Sequence, residues 1–377
     1  MAQQQMKIPF FDVTRQYAPL REEVLRRFDQ LLTRQTLVGG PAVDEFERQV
    51  AEWMGIPFAH VVASGTDALI LALRAVDIGP GDEVITTPYS FFASSSAVLL
   101  VGARPVFVDI DPVTMNIRPD LIEKALTPKT KAILPVHLYG QTADMDPILD
   151  LARSRGLAVI EDFAQSIGAF YKGRPAGGMG DVGATSFYPT KNLGAAGEGG
   201  MVTTQNAETA KKLKLLRAHG MEPRYYHQLL GMNSRMDALQ AAYLSVKLPH
   251  LKTWMERRAA IAQRYTGELM DFKKFGLIVP ETGKDRTHVY HQYMIRLPNR
   301  DQVRQAMAEE GIPTEVYYPL TIPEQKVLRP YAPEKGWPES EKAARTNLAL
   351  PIFPELTDEE VGWVVTALRK VVPKVCV

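Results

Sequence analysis

The chain has a single cysteine among its 377 residues, Cys376, close to the carboxyl terminus. One cysteine excludes an intrachain disulfide and a zinc site built from several cysteines of one subunit. An excess of one charge is also lacking, because 44 Lys and Arg face 43 Asp and Glu for a net charge of +1. This balance, without a run of basic residues, gives no electrostatic argument for nucleic acid or an anionic membrane.

Long hydrophobic runs are missing as well. The weakly apolar stretch "FFASSSAVLLVGA" is too short to span a bilayer, and "MAQQQMKIPFF" lacks the charged-then-apolar pattern of a signal peptide. No histidine pairs with carboxylates at a metal-ligand spacing, and we therefore expect no catalytic metal. These features indicate a cytoplasmic protein that acts on small molecules, without a nucleic-acid or membrane partner.

Short β-rich segments alternate with helical ones along the first two thirds of the chain. The segments are "AHVVAS", "DEVITTP", "RPVFVDID", "KAILPVHLYG", "GLAVIED", "ATSFYP" and "GGMVTTQ". This alternation predicts an α/β fold with a mostly parallel sheet wrapped by helices. Near residue 250 a long charged helical segment begins. We predict a large domain over residues 1–249, with the N-terminal segment, and a smaller C-terminal α+β domain over 250–377.

Two glycine-containing stretches are candidates for phosphate binding. "GMGDVG", at 178–183, matches the G-x-G-x-x-G pattern of nicotinamide dinucleotide sites, but it precedes a predicted strand instead of linking a strand to a helix. In "VVASGTDALILAL" a strand leads through Ser64, Gly65 and Thr66 directly into a helix, whose N-terminal N–H groups favour an anion. Alternatively, Ser64 or Thr66 serves only as the helix N-cap.

Two further segments carry residues suited to covalent chemistry. The apolar strand in "LAVIEDFAQS" ends at Asp162, with Gln165 close behind, where open α/β sheets bind ligands. A turn or cap residue is the alternative for Asp162. In "SFYPTKNLGAAGEGG", Ser186 and Lys191 lie beside glycines. An anion cradle, a carboxylate, a hydroxyl and a sheltered lysine are together what pyridoxal phosphate requires.

The sequence resembles the DegT/StrS family of fold-type-I, pyridoxal-phosphate-dependent sugar aminotransferases over essentially the whole chain. The segments that carry the resemblance are "SGTDAL", "EDFAQS", "SFYPTKNLGAAGEGG", "GMNSRMDALQAA" and "VYYP". The resemblance implies that Lys191 forms the Schiff base with the cofactor and that Asp162 pairs with the pyridine nitrogen. It also implies that Gln165 contacts the phenolic side of the ring and that three residues bind its phosphate: Gly65, Thr66 and Ser186.

An aromatic residue of "YSFFAS" stacks on the cofactor ring in this family. We assign Phe91 to this role instead of Phe92, although both rings could belong to the core. The resemblance further implies a homodimer whose active sites lie at the subunit interface. In the family, Asn233 reaches the neighbouring subunit's phosphate and Arg235 lies near its substrate; locally, Asn233 could instead cap a helix and Arg235 occupy its first turn.

The implied reaction moves an amino group, with glutamate as donor, to a nucleotide-linked keto sugar. Lys191 favours transfer because the dehydrating members of the family carry histidine at this position. "SFYP-x-K-N-L-G" and "PVHLYGQTADMDPI" resemble 3-keto members, whereas "GEGG" is commoner in 4-keto members. Tyr317 and Tyr318 are candidate substrate contacts, with packing of the small domain as their alternative. A nicotinamide-dependent oxidoreductase and a non-catalytic regulatory module are the alternatives from other classes.

Overall fold

A seven-stranded sheet forms the centre of the molecule in the computed structural model, which describes residues 8–331 and 336–376. The strands are β1 (Phe58–Val62), β2 (Glu83–Thr86), β3 (Arg104–Phe107), β4 (Thr130–Ile133), β5 (Ala158–Asp162), β6 (Phe170–Tyr171), β7 (Arg174–Pro175), β8 (Val182–Ser186), β9 (Gly200–Thr204), β10 (Tyr293–Arg296) and β11 (Asn347–Leu350).

The order of strands across the large sheet is β1-β9-β8-β5-β4-β2-β3. Four neighbouring pairs are parallel, from β3 through β2, β4 and β5 to β8. Only β9 reverses the direction, running antiparallel to both β8 and β1. The predicted mostly parallel sheet is confirmed, and each strand of this sheet overlaps one of the β-rich segments of the sequence.

Helices cover both faces of this sheet and build the C-terminal part of the chain. They are α1 (Val13–Tyr17), α2 (Arg21–Arg34), α3 (Pro41–Met54), α4 (Gly65–Ala75), α5 (Ala93–Leu100), α6 (Pro119–Ala125), α7 (Met145–Arg155), α8 (Ala207–Leu216), α9 (Ala238–Lys247), α10 (Leu251–Leu269), α11 (Arg300–Glu309), α12 (Pro338–Thr346) and α13 (Asp358–Val375). The last begins with a capping box between Thr357 and Glu360.

The C-terminal part has its own small sheet, in which β10 and β11 pair antiparallel. Its core is apolar side chains of α10, α11, α13 and both strands, among them Tyr265, Ile295, Val303, Leu350 and Leu368. Ala344 of α12 and Ala349 of β11 pack on the core of the large sheet instead. The domain boundary near residue 250 stays a prediction.

Hydrogen bonds from side chains protect the outer edge of β1, the strand that leads to Ser64. Glu47 Oε1 accepts the Val61 N–H at 2.9 Å, and Arg217 Nη1 donates to the Val61 carbonyl at 2.7 Å. Arg217 also pairs directly with Glu47. Because an edge strand would otherwise present unpaired backbone groups, these two charged residues fix β1 in place.

Candidate active site

A cavity of about 630 Å³ opens where β1, β5 and β8 end. The structure places nine of the eleven predicted site residues along its wall: Gly65, Thr66, Phe91, Asp162, Gln165, Ser186, Lys191, Tyr317 and Tyr318. Side chains from distant parts of the sequence therefore meet in one pocket at the carboxyl edge of the sheet, where ligands of α/β folds bind.

Lys191 occupies a turn just beyond β8. Its N–H donates to the Tyr188 carbonyl at 2.8 Å, which closes the turn below the cavity. Burial lowers the pKa of the Lys191 ammonium from 10.5 to about 8, against the opposing attraction of Asp162. A neutral amine is consequently accessible near neutral pH, as a nucleophilic lysine requires.

Asp162 is the last residue of β5 and is 5% exposed. Its Oδ2 accepts a hydrogen bond from Ser94 Oγ at 2.8 Å, and its Oδ1 accepts one from the Ala164 N–H at 3.2 Å. Burial raises the pKa of this carboxyl, and the two hydrogen bonds only partly oppose the effect. A desolvated carboxylate in this position is stabilised by a cationic N–H group placed in the cavity.

The predicted anion cradle is the N-terminus of α4. Ser64 Oγ accepts the Asp67 N–H at 3.1 Å. Of the two candidate N-cap residues, Ser64 and Thr66, Ser64 is therefore the N-cap of this helix. Thr66 lies in the first turn and lines the cavity. Gly65 packs so closely on Ser186 that a Cβ at position 65 would lie 2.6 Å from Ser186 Cβ. Only glycine at position 65 therefore lets the first turn of α4 approach Ser186 so closely. The N–H groups of this turn and the Ser186 hydroxyl could together bind an anion.

Phe91 and Gln165 flank the cavity together with Tyr318. Gln165 Nε2 donates to the Tyr318 hydroxyl at 3.2 Å, and Gln165 Oε1 accepts the Tyr139 N–H at 2.7 Å. The Phe91 ring lies 6.1 Å from the Tyr318 ring. Phe91 is 57% exposed and lines the cavity, whereas Phe92 is 37% exposed and does not. The alternative that both Phe rings belong to the core is wrong.

The backbone of Tyr317 and Tyr318 is anchored by two buried tyrosines that the sequence did not single out. The Tyr89 hydroxyl donates to the Tyr317 carbonyl at 2.8 Å and accepts the Tyr318 N–H at 2.8 Å. The Tyr139 hydroxyl also donates to the Tyr317 carbonyl. These bonds hold the Tyr318 ring against the cavity.

Asn233 and Arg235 lie outside the cavity of their own chain, and both are exposed. They belong to an extended segment, because α9 begins only at Ala238. Ser234 explains the late start: its hydroxyl donates to Asp67 Oδ2 at 2.7 Å and accepts the Ala63 N–H at 3.2 Å. The alternatives that Asn233 caps a helix and that Arg235 lies in its first turn are therefore wrong.

The "GMGDVG" stretch binds a carboxylate of the protein itself. Glu161, fully buried, accepts the N–H groups of Gly177, Met179 and Gly180 at 2.9, 2.7 and 2.7 Å. His137 Nε2 completes this shell at 2.8 Å from Glu161. Because these donors are occupied and the loop leads into β8, the dinucleotide interpretation of the motif is wrong.

Some residues of the cavity wall carried no recognisable signal in the sequence, among them Phe10, His291 and Gln292. His291 Nδ1 lies 3.3 Å from Asn192 Oδ1, and Asn192 Nδ2 donates to the Val289 carbonyl at 3.1 Å. An amide oxygen only accepts, so Nδ1 of His291 carries the proton. Burial, followed by the charge of Lys191, holds the pKa of His291 well below its ordinary value.

Residues 8–331 and 336–376 contain neither a metal-binding cluster nor a membrane-spanning helix. No group of three or more His, Cys, Asp or Glu side chains is arranged to hold a metal ion. None of the helices in these ranges is long and apolar enough to cross a membrane.

The sequence matches known proteins along nearly its whole length. The model of the DegT/DnrJ/EryC1/StrS aminotransferase family matches residues 19–369. A Geobacillus stearothermophilus protein named "Pleiotropic regulatory protein" is 46% identical over 366 residues, which are 97% of this chain and 98% of that protein. The UDP-N-acetyl-3-dehydro-alpha-D-glucosamine 3-aminotransferase of Acidithiobacillus ferrooxidans is 44% identical over 367 residues, with the same coverage.

A solved structure of S. venezuelae DesV in complex with a ketimine intermediate has a TM-score of 0.94 to this fold. It is 40% identical and covers 97% of this chain and 98% of that chain. Aminotransferases of this family use pyridoxal 5′-phosphate, and the partly buried lysine, the buried carboxylate and the glycine-permitted helix N-terminus fit that cofactor. The chain, with its fold-type-I architecture, belongs to the DegT/DnrJ/EryC1/StrS aminotransferase family.

Proposed function

We propose that this aminotransferase moves an amino group from glutamate to the 3-keto group of a nucleotide-linked sugar. The product is an amino sugar for a surface polysaccharide or a glycosylated metabolite. The observation that carries the proposal is the meeting of Lys191, with its pKa lowered to about 8, and the buried Asp162 in one cavity. The named activity of the A. ferrooxidans relative favours position 3 of the sugar over position 4.

The residues of the cavity divide the work on the cofactor. Gly65, Thr66 and Ser186 bind its phosphate at the N-terminus of α4, where N–H groups and the helix dipole favour an anion. Asp162 would keep the ring nitrogen of the cofactor protonated. Because the Asp162 carboxylate is buried, an ion pair with this protonated nitrogen would be favourable. When bound, pyridoxal phosphate supplies an electron-accepting ring and a carbon that exchanges amines.

Lys191 performs two roles in this proposal. It would hold the cofactor in the cavity, and its Nζ, as a neutral amine, would accept a proton from a substrate carbon and return it at the other end of the transfer. Its lowered pKa suits both roles, because a protonated ammonium can neither attack nor accept a proton. Gln165 orients the phenolic side of the ring, and Phe91 covers one of its faces. Tyr317 and Tyr318 contact the sugar.

A regulatory role is the second candidate, since one relative carries the name "Pleiotropic regulatory protein". A protein that binds the cofactor only as a signal requires neither a lysine of lowered pKa nor a buried carboxylate. The cavity contains both, which favours catalysis as the primary role.

A panel of keto-sugar nucleotides tests the proposed substrate. UDP-, dTDP- and GDP-linked 3-keto and 4-keto sugars are incubated separately with the holoenzyme and glutamate, and the products are quantified by mass spectrometry. We expect at least one 3-keto compound to react about 10²-fold or more faster than its 4-keto counterpart. Equal or faster turnover of the 4-keto compounds would refute the regiochemistry, and no turnover with any sugar would refute the substrate class.

We also propose a cytoplasmic homodimer in which Asn233 and Arg235 complete the partner's site. A chain with one cysteine forms no intrachain disulfide, as is typical of reducing compartments. Residues 218–233 form a hairpin that ends at Asn233 and exposes large apolar side chains: Tyr225 at 73%, Tyr226 at 70% and Leu230 at 83%. Such a surface is suited to burial against a second copy.

Mixed dimers test the shared site. Lys191→Ala and Asn233→Ala variants, each inactive or impaired alone, are unfolded together and refolded as a mixture. If each site uses Lys191 of one chain and Asn233 of the other, the mixed dimer contains one intact site, and about a quarter of the wild-type activity returns for random pairing. A mixture no more active than its separate components contradicts the arrangement.

A further inference from the structure

A buried lysine that the proposed reaction does not use lies behind the catalytic turn. Lys247, the last residue of α9, is 1% exposed. Its ammonium donates a hydrogen bond to the Gly194 carbonyl at 2.7 Å. Gly194 lies three residues after Lys191, so a charged group from α9 directly contacts the turn that carries the reactive amine.

The surroundings of Lys247 show that its charge is costly to bury. The ammonium lies 5.1 Å from the centre of the Tyr243 ring and 5.6 Å from that of Trp254. In the described part of the chain it forms no ion pair, and Glu355 and Arg258 act on it only from a distance. An apolar side chain of similar length would avoid the desolvation cost. The bond to Gly194 is the polar contact that the Lys247 side chain makes here.

The turn is otherwise closed by its own backbone. The Lys191 N–H donates to Tyr188 and the Ala195 N–H to Phe187, at 2.8 and 2.7 Å. A Cβ at Gly194 would lie 2.3 Å from the Pro189 carbonyl oxygen, so the two limbs of the turn touch. Side-chain hydrogen bonds also hold the turn: Asn192 donates to the Val289 carbonyl, Lys247 to the Gly194 carbonyl and Gln240 to the Ala196 carbonyl.

We propose that Lys247 is a positioning residue for the aminotransferase reaction. By fixing the Gly194 carbonyl, its ammonium limits the movement of the turn and keeps Nζ of Lys191 within reach of the carbons between which it carries the proton. The two aromatic rings hold the cation without neutralising it, which leaves its hydrogen bond free for the turn. This inference rests on the proposed role of Lys191 as proton carrier.

Two measurements on Lys247→Met test the inference. Methionine retains the length of the side chain but removes the charge and the donor. In the protein without cofactor, we expect amide hydrogen exchange over residues 187–199 to accelerate about tenfold, while exchange over β5 stays unchanged. In the holoenzyme, we expect kcat to fall about 10- to 100-fold with KM nearly unchanged, since a displaced catalytic group affects the chemical step.

Two further variants separate positioning from general stability. Lys247→Arg, which keeps a cation and donors, is expected to restore part of the exchange protection and of kcat. Tyr243→Phe keeps the ring and the charge and is expected to match the wild type. Should Lys247→Met fail to fold, Trp254→Leu weakens the hold on the cation and is expected to accelerate exchange over 187–199 to a smaller degree.

Several outcomes overturn the proposal. If amide exchange over residues 187–199 in Lys247→Met is as slow as in the wild type, the turn does not depend on the cation. The same holds for Trp254→Leu where that variant replaces Lys247→Met. If amide exchange over β5 accelerates as much as exchange over residues 187–199, Lys247 has only a general structural role. Exchange is measured without substrate, so its result stands even if the proposed sugar substrate proves wrong.

Discussion

Replacing Lys191 with methionine is expected to lower transamination by at least about 10⁴-fold, because the variant has neither the covalent anchor nor the proton carrier. The same change is expected to stabilise the protein without cofactor. Burial lowers the pKa of Lys191 from 10.5 to about 8, so the folded state holds this proton less tightly than the unfolded state. At pH 7 the Lys191 ammonium therefore opposes folding, by about 3 kcal/mol.

The sign of the stability effect gives the prediction a pH signature. Between about pH 8 and 10.5 the unfolded chain binds more protons at this residue than the folded chain, so the wild type gains stability as the pH rises. The advantage of Lys191→Met is accordingly largest below pH 8 and shrinks toward pH 10.5. Urea unfolding of both proteins at pH 7 and pH 10 measures the difference.

Lys129→Met is the matched control for the Lys191 experiment. Lys129 is exposed, and its side chain does not line the cavity. This variant makes the same chemical change and is expected to retain wild-type activity and stability. A Lys191→Met protein that is less stable than the wild type at pH 7, or that keeps more than about 1% of the turnover, would contradict the proposed state of Lys191.

Replacing Asp162 with asparagine is expected to lower kcat/KM by about 10²- to 10³-fold while the fold remains intact. The amide cannot stabilise a proton on the cofactor's ring nitrogen, and the ring then accepts electrons poorly. The local hydrogen bonds survive: the asparagine oxygen can accept the Ala164 N–H, and its NH₂ can donate to Ser94 Oγ. Ser94 Oγ can in turn donate to Ser90 Oγ, which lies 3.0 Å away.

The stability of Asp162→Asn distinguishes a loss of chemistry from a loss of structure. Burial raises the pKa of Asp162, so an uncharged side chain of the same shape relieves a desolvation cost. We expect an unfolding midpoint equal to or above that of the wild type. Asp150→Asn, at an exposed ion pair with Arg153, is the control and is expected to retain full activity. Near-normal kcat/KM in Asp162→Asn would contradict its assignment to the ring nitrogen.

The sequence predicted the elements in which local pattern decides the structure. Asp162 lies at the end of an apolar run bounded by a turn, and β5 ends at this residue. The position of Ser64 between a strand and an apolar helix predicted its place at the N-terminus of α4.

Tertiary contacts explain what the sequence did not reveal. The alternative that Asn233 caps α9 fails because Ser234 is bound to Asp67 and Ala63, about 170 residues earlier. "GMGDVG" matched a ligand-binding pattern, yet its N–H groups bind Glu161, a partner that no local pattern identifies. The contact of Lys247 with Gly194, 53 residues apart, is equally invisible in the sequence.

Nitrogen transfer itself tests the central claim most directly. The holoenzyme is incubated with [¹⁵N]glutamate and a nucleotide-linked 3-keto sugar, and the position of the label in the product is determined by NMR. The proposed function predicts ¹⁵N bound to C3 of the sugar in the wild type and no labelled sugar with Lys191→Met. Labelled amine at C4, or unlabelled sugar from an enzyme loaded with cofactor, would contradict it.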